Sequence, residues 1–162
     1  MNNFQIRQAT SVDHSILTEI SFESKRMWNY PDAYFEIWHD ELTITPEYID
    51  NHFVYLAETD NRIIGYYSLV INEKDRWVGD LFLRQGLWLD HMFVRPKFTG
   101  QRVGKALMNH AKNLAASQNH TILYLLADPN AKGFYEKQGC TFDRDVPSNI
   151  PDRTVSLFYC QI

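Results

Sequence analysis

The chain is poor in several things, and each shortage excludes something. Of its 162 residues only two are cysteines, Cys140 and Cys160, in neither a redox nor a metal-binding spacing. The expectation is therefore two buried, reduced thiols in a cytoplasmic protein. No apolar run approaches the roughly 18 residues of a membrane span, and the opening MNNFQIRQAT lacks the apolar segment of a secretory signal. No membrane partner is expected. Excess positive charge is missing too: the net charge is -4, which argues against nucleic acid, whose phosphates demand a basic face. The six histidines form no helical pair at metal spacing, so no metal is expected. Repeats, low-complexity tracts and linkers are absent as well.

What is there fits one globular domain, residues 1–162, with 44% hydrophobic and 22% charged residues. Aromatics reach 14%, and many fall early (Trp28, Tyr30, Tyr34, Phe35, Trp38), as a core stripe or as a lid over a small ligand. Carboxylates among them (Glu23, Asp32, Asp40, Glu41) would suit a cationic amine, although a solvated helix face explains the pattern equally well.

Periodicity predicts a strand over 4–7, then a helix to about Trp28 capped by Ser11 or Asp13, with Ile16, Ile20 and Met27 on one face. Short helices follow over 34–40 and 46–52, the second opening on proline. Strands over 53–58 and 63–72 flank a TDNR turn, giving a hairpin. EKDRWVGD reads as a polar connection, and 81–94 as one long strand that breaks near Gly86 and stops at Pro96. The strongest helix spans 103–117, with Val103, Leu107, Ala111 and Leu114 on one face. A buried strand over 121–127, a helix over 131–138 closed by Gly139, and strands over 141–144 and 154–160 complete the chain. The fold class is mixed α/β, one sheet layer with helices packed on it.

Two segments carry the chemistry. In residues 87–107, LWLDHMFVRPKFTGQRVGKAL, an apolar strand meets proline, a basic Gly-containing loop and an amphipathic helix. Such a loop presents unpaired N–H groups and the positive end of a helix dipole, a seat for phosphate oxygens. It is not an ATPase-type phosphate loop: the glycines of GQRVGKA are one residue too close, and Ala106 stands where a Mg²⁺-binding hydroxyl belongs. Residues 128–142, DPNAKGFYEKQGCTF, form the second segment.

In this order the two segments resemble the GCN5-related N-acetyltransferase (GNAT) superfamily, and the resemblance covers nearly the whole chain. HMFVRP followed by TGQRVGKAL is similar to the family's fourth strand, pyrophosphate loop and third helix; NAKGFYEKQGCTF is similar to its second coenzyme-binding motif. Three positions depart: Thr99 stands where Arg or Gln is common, Arg102 where the first glycine of the pair is common, and Cys140 where Phe is usual. At Arg102 a backbone with φ above zero would be uncomfortable, whereas a right-handed start to the helix would leave its guanidinium for a phosphate.

The resemblance implies a single mixed, mostly antiparallel sheet of six to seven strands, splayed between the fourth and fifth and flanked by about four helices. It implies acetyl-CoA as co-substrate, transfer of acetyl to a primary amine by direct attack in a ternary complex, and pairing into homodimers in many relatives. Met92, Phe93 and Val94 would hold the pantetheine arm. Thr99, Gly100, Gln101, Arg102, Val103, Gly104 and Lys105 would seat the diphosphate, and Asn130 would contact the pantetheine. Tyr135 would protonate the leaving thiolate. Asp90, sharing a strand face with Trp88, would help to deprotonate the amine, a step costing about 4.6 kcal/mol at neutral pH for an alkylamine. His91, better matched in pKa but on the other face, ranks second. Trp28, Tyr30, Trp88 and Asp90 would contact the acceptor. A small-molecule amine is the leading acceptor. A protein N-terminus or lysine, and a non-catalytic acyl-CoA sensor, are the alternatives.

Overall fold

The structure is a computed structural model and describes residues 3–162. In chain order it runs β1 (Gln5–Gln8), α1 (His14–Arg26), α2 (Asp32–Leu42), α3 (Pro46–Asn51), β2 (Phe53–Thr59) and β3 (Arg62–Asn72). There follow β4 (Arg76–Val78), β5 (Leu81–Leu83), β6 (Gly86–Val94), α4 (Val103–Ser117), β7 (Ile122–Ala127), α5 (Lys132–Lys137), β8 (Thr141–Pro147) and β9 (Thr154–Gln161). Seven strands form one mostly antiparallel sheet in the order β1-β2-β3-β6-β7-β9-β8, and β4 with β5 forms a separate hairpin. The described α-helices number five rather than about four. By internal packing the chain divides into two compact units, Met1–Ser68 with His91–Leu107 and Leu69–Asp90 with Met108–Ile162; β3 and β6 supply residues to both.

In the first unit α1 buries Leu17 and Ile20 against Val54, Leu56 and Tyr66, with Ile44 and Ile49 closing the cluster. Full burial of each such side chain is worth about 1.5–3 kcal/mol. Met27 does not join this face: α1 ends at Arg26, and Met27 is exposed. The expected Ser11 or Asp13 cap takes a different form. Asp13 turns back, accepting from the Thr10 N–H at 2.8 Å and from the two terminal nitrogens of Arg7 at 2.9 and 3.1 Å. Burial pushes the Asp13 pKa up, but the Arg7 and Thr10 hydrogen bonds outweigh it and hold the carboxyl below its ordinary value. The TDNR turn places Asp60 and Asn61 at φ 48° and 62°, the left-handed pair that a tight two-residue hairpin needs.

Gly65 on β3 is required by a close approach. A Cβ there would lie 2.9 Å from the Phe93 carbonyl oxygen, 3.3 Å from Leu107 Cδ1 and 3.4 Å from Val94 Cα. Absence of a side chain lets the end of β6 and the first turns of α4 settle onto β3.

In the second unit the polar connection is in fact ordered. Trp77 of β4 packs on Phe82 of β5 with ring centroids 5.2 Å apart. β5 ends at Leu83 and β6 opens on Gly86, at φ 138°, so the stretch 81–94 breaks near Gly86 as its sequence leads one to expect. β7 pairs antiparallel with β9 from Ile122↔Gln161 to Ala127↔Ser156, and β9 with β8. The thiols are not separate: Cys140 and Cys160 form a disulfide with Cα atoms 4.4 Å apart. The reason is register, which sequence spacing hides. Cys160 faces Leu123 across the β7–β9 ladder, while the chain leaving α5 brings Cys140 to the start of β8 beside β9.

Replacing Gly65 with alanine should cost about 1–3 kcal/mol, because backbone rather than a flexible side chain must yield. Denaturant unfolding of the variant tests this, and an unchanged midpoint would refute the close-packing account.

Candidate active site

The parallel ladder between β6 and β7 is short. It runs from Leu87↔Leu123 through Trp88↔Tyr124 to Leu89↔Leu125. β7 continues along β9 to Ala127, while β6 continues through Asp90 to Val94. The last ladder pair is thus followed on β6 by Asp90, which is exposed.

Beyond that point β6 belongs to the first unit. His91 is buried, with the rings of Tyr48, Phe93 and Tyr66 at 5.8, 5.9 and 6.2 Å. An imidazole walled by rings is poorly placed to reach an incoming amine, and Asp90 is the better exposed of the two candidate bases. Met92, Phe93 and Val94 are each half-buried. The Val94 carbonyl, expected to be open to a pantetheine amide, already accepts from Ser24 Oγ at 2.8 Å.

The strand exits through Arg95 into a short turn, Pro96–Phe98, and then residues 99–102. Gly100 and Arg102 both have positive φ, 75° and 66°. Arg102 therefore takes the strained left-handed backbone instead of a right-handed helix start. For a residue with a Cβ this costs about 1–2 kcal/mol. Its side chain is exposed. In α4 the Ala106 N–H is bonded to the Arg102 carbonyl at 3.0 Å. The amides of Val103, Gly104 and Lys105 precede that first helical bond, so they are donors a helix cannot satisfy by itself. Val103 is buried, leaving only its backbone to meet a ligand; Thr99 and Lys105 are exposed, and Gln101 and Gly104 half-buried.

Trp28 is exposed at the end of α1. Tyr30 stacks edge-on against Trp38 at 5.2 Å and lies 5.8 Å from Tyr34. The Lys25 ammonium stands over the Trp38 ring at 4.5 Å, so this aromatic face already receives an alkylammonium. Glu23 faces a depression of ≈ 500 Å³ with Glu19, Phe22 and Arg26, yet it is bonded to Arg95 at 2.6 Å.

In the second unit Trp88 is a core residue. Its indole N–H is spent on the Arg84 carbonyl at 2.9 Å, and its ring lies 5.1 Å from Tyr124. It can act as a wall but has no donor to offer an acceptor. Tyr135 is buried, 5.0 Å from the Phe134 ring and 6.1 Å from that of Phe158. Burial, and after it the charge of Asp128, pushes its phenol above the ordinary value of 10.0, so the hydroxyl keeps its proton at any physiological pH. Asp128 caps the short turn Pro129–Ala131 ahead of α5: its carboxylate accepts from the Asn130 N–H at 2.9 Å and pairs with Arg153 at 3.1 Å. At the far end of α5 Lys112 donates to the Gln138 carbonyl, and Gly139 turns the chain at φ 83°. The sequence reading passed over Ser24, Gly65, Arg95, Asp128, Lys112 and Arg153. Arg95 and Gly65 carried a signal: a charge inside VRP at a strand end, and a glycine inside an apolar strand.

Among the described residues no helix is long and apolar enough to cross a membrane, and no three His, Cys, Asp or Glu side chains gather as a metal site.

This order of strands and helices, with a short parallel ladder before a glycine loop and helix, defines a class of acyl-CoA-dependent transferases. The sequence pattern of the acetyltransferase (GNAT) family matches residues 17–140, and the chain belongs to that family. It is 28% identical over 108 residues to the peptidyl-lysine N-acetyltransferase YjaB of Salmonella typhimurium, covering 64% of this chain and 71% of that one. It is 27% identical over 138 residues to the peptidyl-lysine N-acetyltransferase YiaC of Escherichia coli, covering 83% and 81%. Among solved structures, a GCN5-related N-acetyltransferase from Rhodopseudomonas palustris superposes with a TM-score of 0.80 at 18% identity over 100% of this chain and 98% of that one. The PaiA N-acetyltransferase of Thermoplasma acidophilum, in complex with coenzyme A, superposes with a TM-score of 0.76 at 18% identity over 99% and 100%. The chain is an acyltransferase, and acetyl-CoA is its co-substrate.

Arg102→Gly should raise stability by about 1 kcal/mol by relieving the left-handed backbone. If the exposed guanidinium meets a coenzyme phosphate, as the family resemblance implies, the variant should also bind coenzyme A about fivefold or more weakly. Thermal melts and calorimetric titration read both; a variant that is steadier and binds coenzyme equally well would remove the guanidinium from the site.

Proposed function

We propose that this chain transfers acetyl from acetyl-CoA directly to a primary alkylamine. The coenzyme's diphosphate lies over the amides of residues 100–105, with Thr99 and the Arg102 guanidinium beside it. Its pantetheine arm pairs with the edge of β6 at Met92 and Phe93, since the Val94 carbonyl is taken by Ser24, with Asn130 contributing an amide contact. The early end of the β6–β7 ladder at Leu89↔Leu125 is the observation that carries this reading, because an added extended chain needs unpaired strand edge. A β6 N–H near Phe93 polarises the thioester carbonyl and holds the oxyanion, an interaction worth about 3 kcal/mol.

Asp90, exposed directly after the last ladder pair, takes a proton from the acceptor ammonium, directly or through one water. The neutral nitrogen then attacks the thioester carbon, forming the N–C bond as the C–S bond breaks. Tyr135 delivers its proton to the departing sulfur, and the second proton, lost by the still cationic acylated nitrogen, reloads the phenolate, leaving a neutral amide and a free thiol. The raised pKa of Tyr135 supports that role, since the phenol stays loaded at neutral pH. Trp28 and Tyr30 flank the acceptor, and Trp88 backs the strand that carries Asp90.

The acceptor class is supported from two sides. The Lys25 ammonium over the buried Trp38 ring supports an alkylammonium acceptor, a small amine or a lysine side chain alike. The names of the two bacterial relatives support the latter, the lysine side chain of a protein. A cytoplasmic setting belongs to the same reading; the Cys140–Cys160 disulfide is the one feature more usual in oxidising compartments.

Thiol release from acetyl-CoA, followed with a panel of small amines and with lysine peptides, tests the reading and separates its two acceptors. Tyr135→Phe should lower turnover about tenfold or more, as loss of a general acid does. Asp90→Asn should slow the reaction most at low pH, where the acceptor is protonated. Undiminished rates in both variants would overturn the assigned roles.

A further inference from the structure

Arg95 is a buried charge at the point where β6 ends and the chain turns toward α4. Its side chain is 8% exposed. Its backbone N–H donates to the Ile64 carbonyl at 2.8 Å, and its Nε donates to the Ile63 carbonyl, also at 2.8 Å. Its Nη1 donates to Glu19 Oε1 at 2.8 Å and to Glu23 Oε2 at 2.6 Å. Those carboxylates stand one helical turn apart on α1, so a single nitrogen is gripped by both. On either side the chain is held as well. The preceding Val94 carbonyl accepts from Ser24 Oγ at 2.8 Å, and the Arg95 carbonyl accepts from the Phe98 N–H at 2.8 Å.

Stability alone is a weak account of this arrangement. The guanidinium is buried, but Glu19 and Glu23 are 58% and 38% exposed, and an ion pair open to water on its acidic side adds little stability. What apolar packing cannot supply is direction. The guanidinium ties the strand end to the Ile63 carbonyl of β3 and to one face of α1, in a plane set by its own rigid geometry, while the Arg95 backbone N–H holds the next carbonyl, Ile64. From that fixed point Pro96–Phe98 forms one short turn, and residues 99–102 follow directly. We propose that Arg95 is a positioning residue for coenzyme binding: it presets the path of residues 96–102, so that ordering this loop is not charged against coenzyme affinity. The inference rests on the reading that residues 99–105 receive the diphosphate. It also gives Glu23 a task other than acceptor recognition, which its place among aromatic residues had suggested.

The test uses the full chain and three variants: Arg95→Met, which keeps the volume; Arg95→Lys, which keeps the charge but not the fork; and the pair Glu19→Gln with Glu23→Gln. Coenzyme A affinity is measured by calorimetry, and initial rates give KM and kcat. For Arg95→Met the Kd of coenzyme A and the KM of acetyl-CoA should rise about 10- to 100-fold, as for a displaced positioning group. Turnover at saturating coenzyme should change by less than about threefold, the signature of lost binding rather than lost chemistry. Arg95→Lys should recover part of the affinity, and faster hydrogen exchange over 96–104 in the Met variant should accompany the loss. If the Met variant does not fold, the double glutamine variant, altered only on α1, decides by the same affinity measurement. Wild-type protein that binds coenzyme while the variants bind it equally well would overturn the role of Arg95 alone. A wild-type chain that gives no heat with coenzyme A would overturn the coenzyme reading and this proposal with it.

Discussion

A strand that outlasts its partner must place its remaining backbone groups elsewhere, and that constraint shapes this protein. β6 pairs with β7 only as far as Leu89↔Leu125, then runs on to Val94. Buried N–H and C=O groups left without partners would each cost a few kcal/mol. The end of β6 is therefore anchored by other means: the missing side chain of Gly65, the Ser24 hydroxyl on the Val94 carbonyl, and the Arg95 guanidinium on β3 and α1. An edge secured in this way can accept an extended amide chain without itself needing to rearrange, which is what a coenzyme with a pantetheine arm requires.

A comparable logic operates around α5 in the other unit. Six residues make a weak helix in isolation. Here the short turn Pro129–Ala131 that leads into it is held by the Asp128 cap and the Asp128–Arg153 pair, and its exit by Lys112 on the Gln138 carbonyl. The disulfide from Cys140 to Cys160 ties the residue after the helix to β9. Tyr135 sits in the middle of that fastened turn. Its neighbours are rings and a carboxylate, and both favour the neutral phenol over phenolate. The short helix is thereby a holder for one proton-bearing hydroxyl.

Much of this was legible in the residues. The helix over 103–117 follows from a four-residue spacing of apolar side chains, and the strand over 122–127 from an unbroken apolar run. The GNAT family follows from two motifs in the right order. The polar stretch EKDRWVGD hid a hairpin, because its pairing is local and is held by the Trp77–Phe82 contact together with polar bonds such as the Gln85 N–H on the Asp75 carboxylate. The disulfide was hidden as well: residues separated by 20 positions meet only through the register of β7, β8 and β9. Arg102 read as a helix start because sequence does not disclose the sign of φ where a side chain replaces the usual glycine.

By itself the amino-acid order determined which segments become helix or strand, since periodicity, proline and glycine act within a few residues. It also determined the family, through motifs that are contiguous. Tertiary structure alone decided what each polar group is for. Arg95, Glu19, Glu23 and Ser24 are separated by up to 76 residues, and only packing turns them into one anchor at a strand end. The pKa of Tyr135 is likewise a property of its burial and of Asp128, not of tyrosine. Local interactions are written along the chain; long-range ones exist only once it has folded.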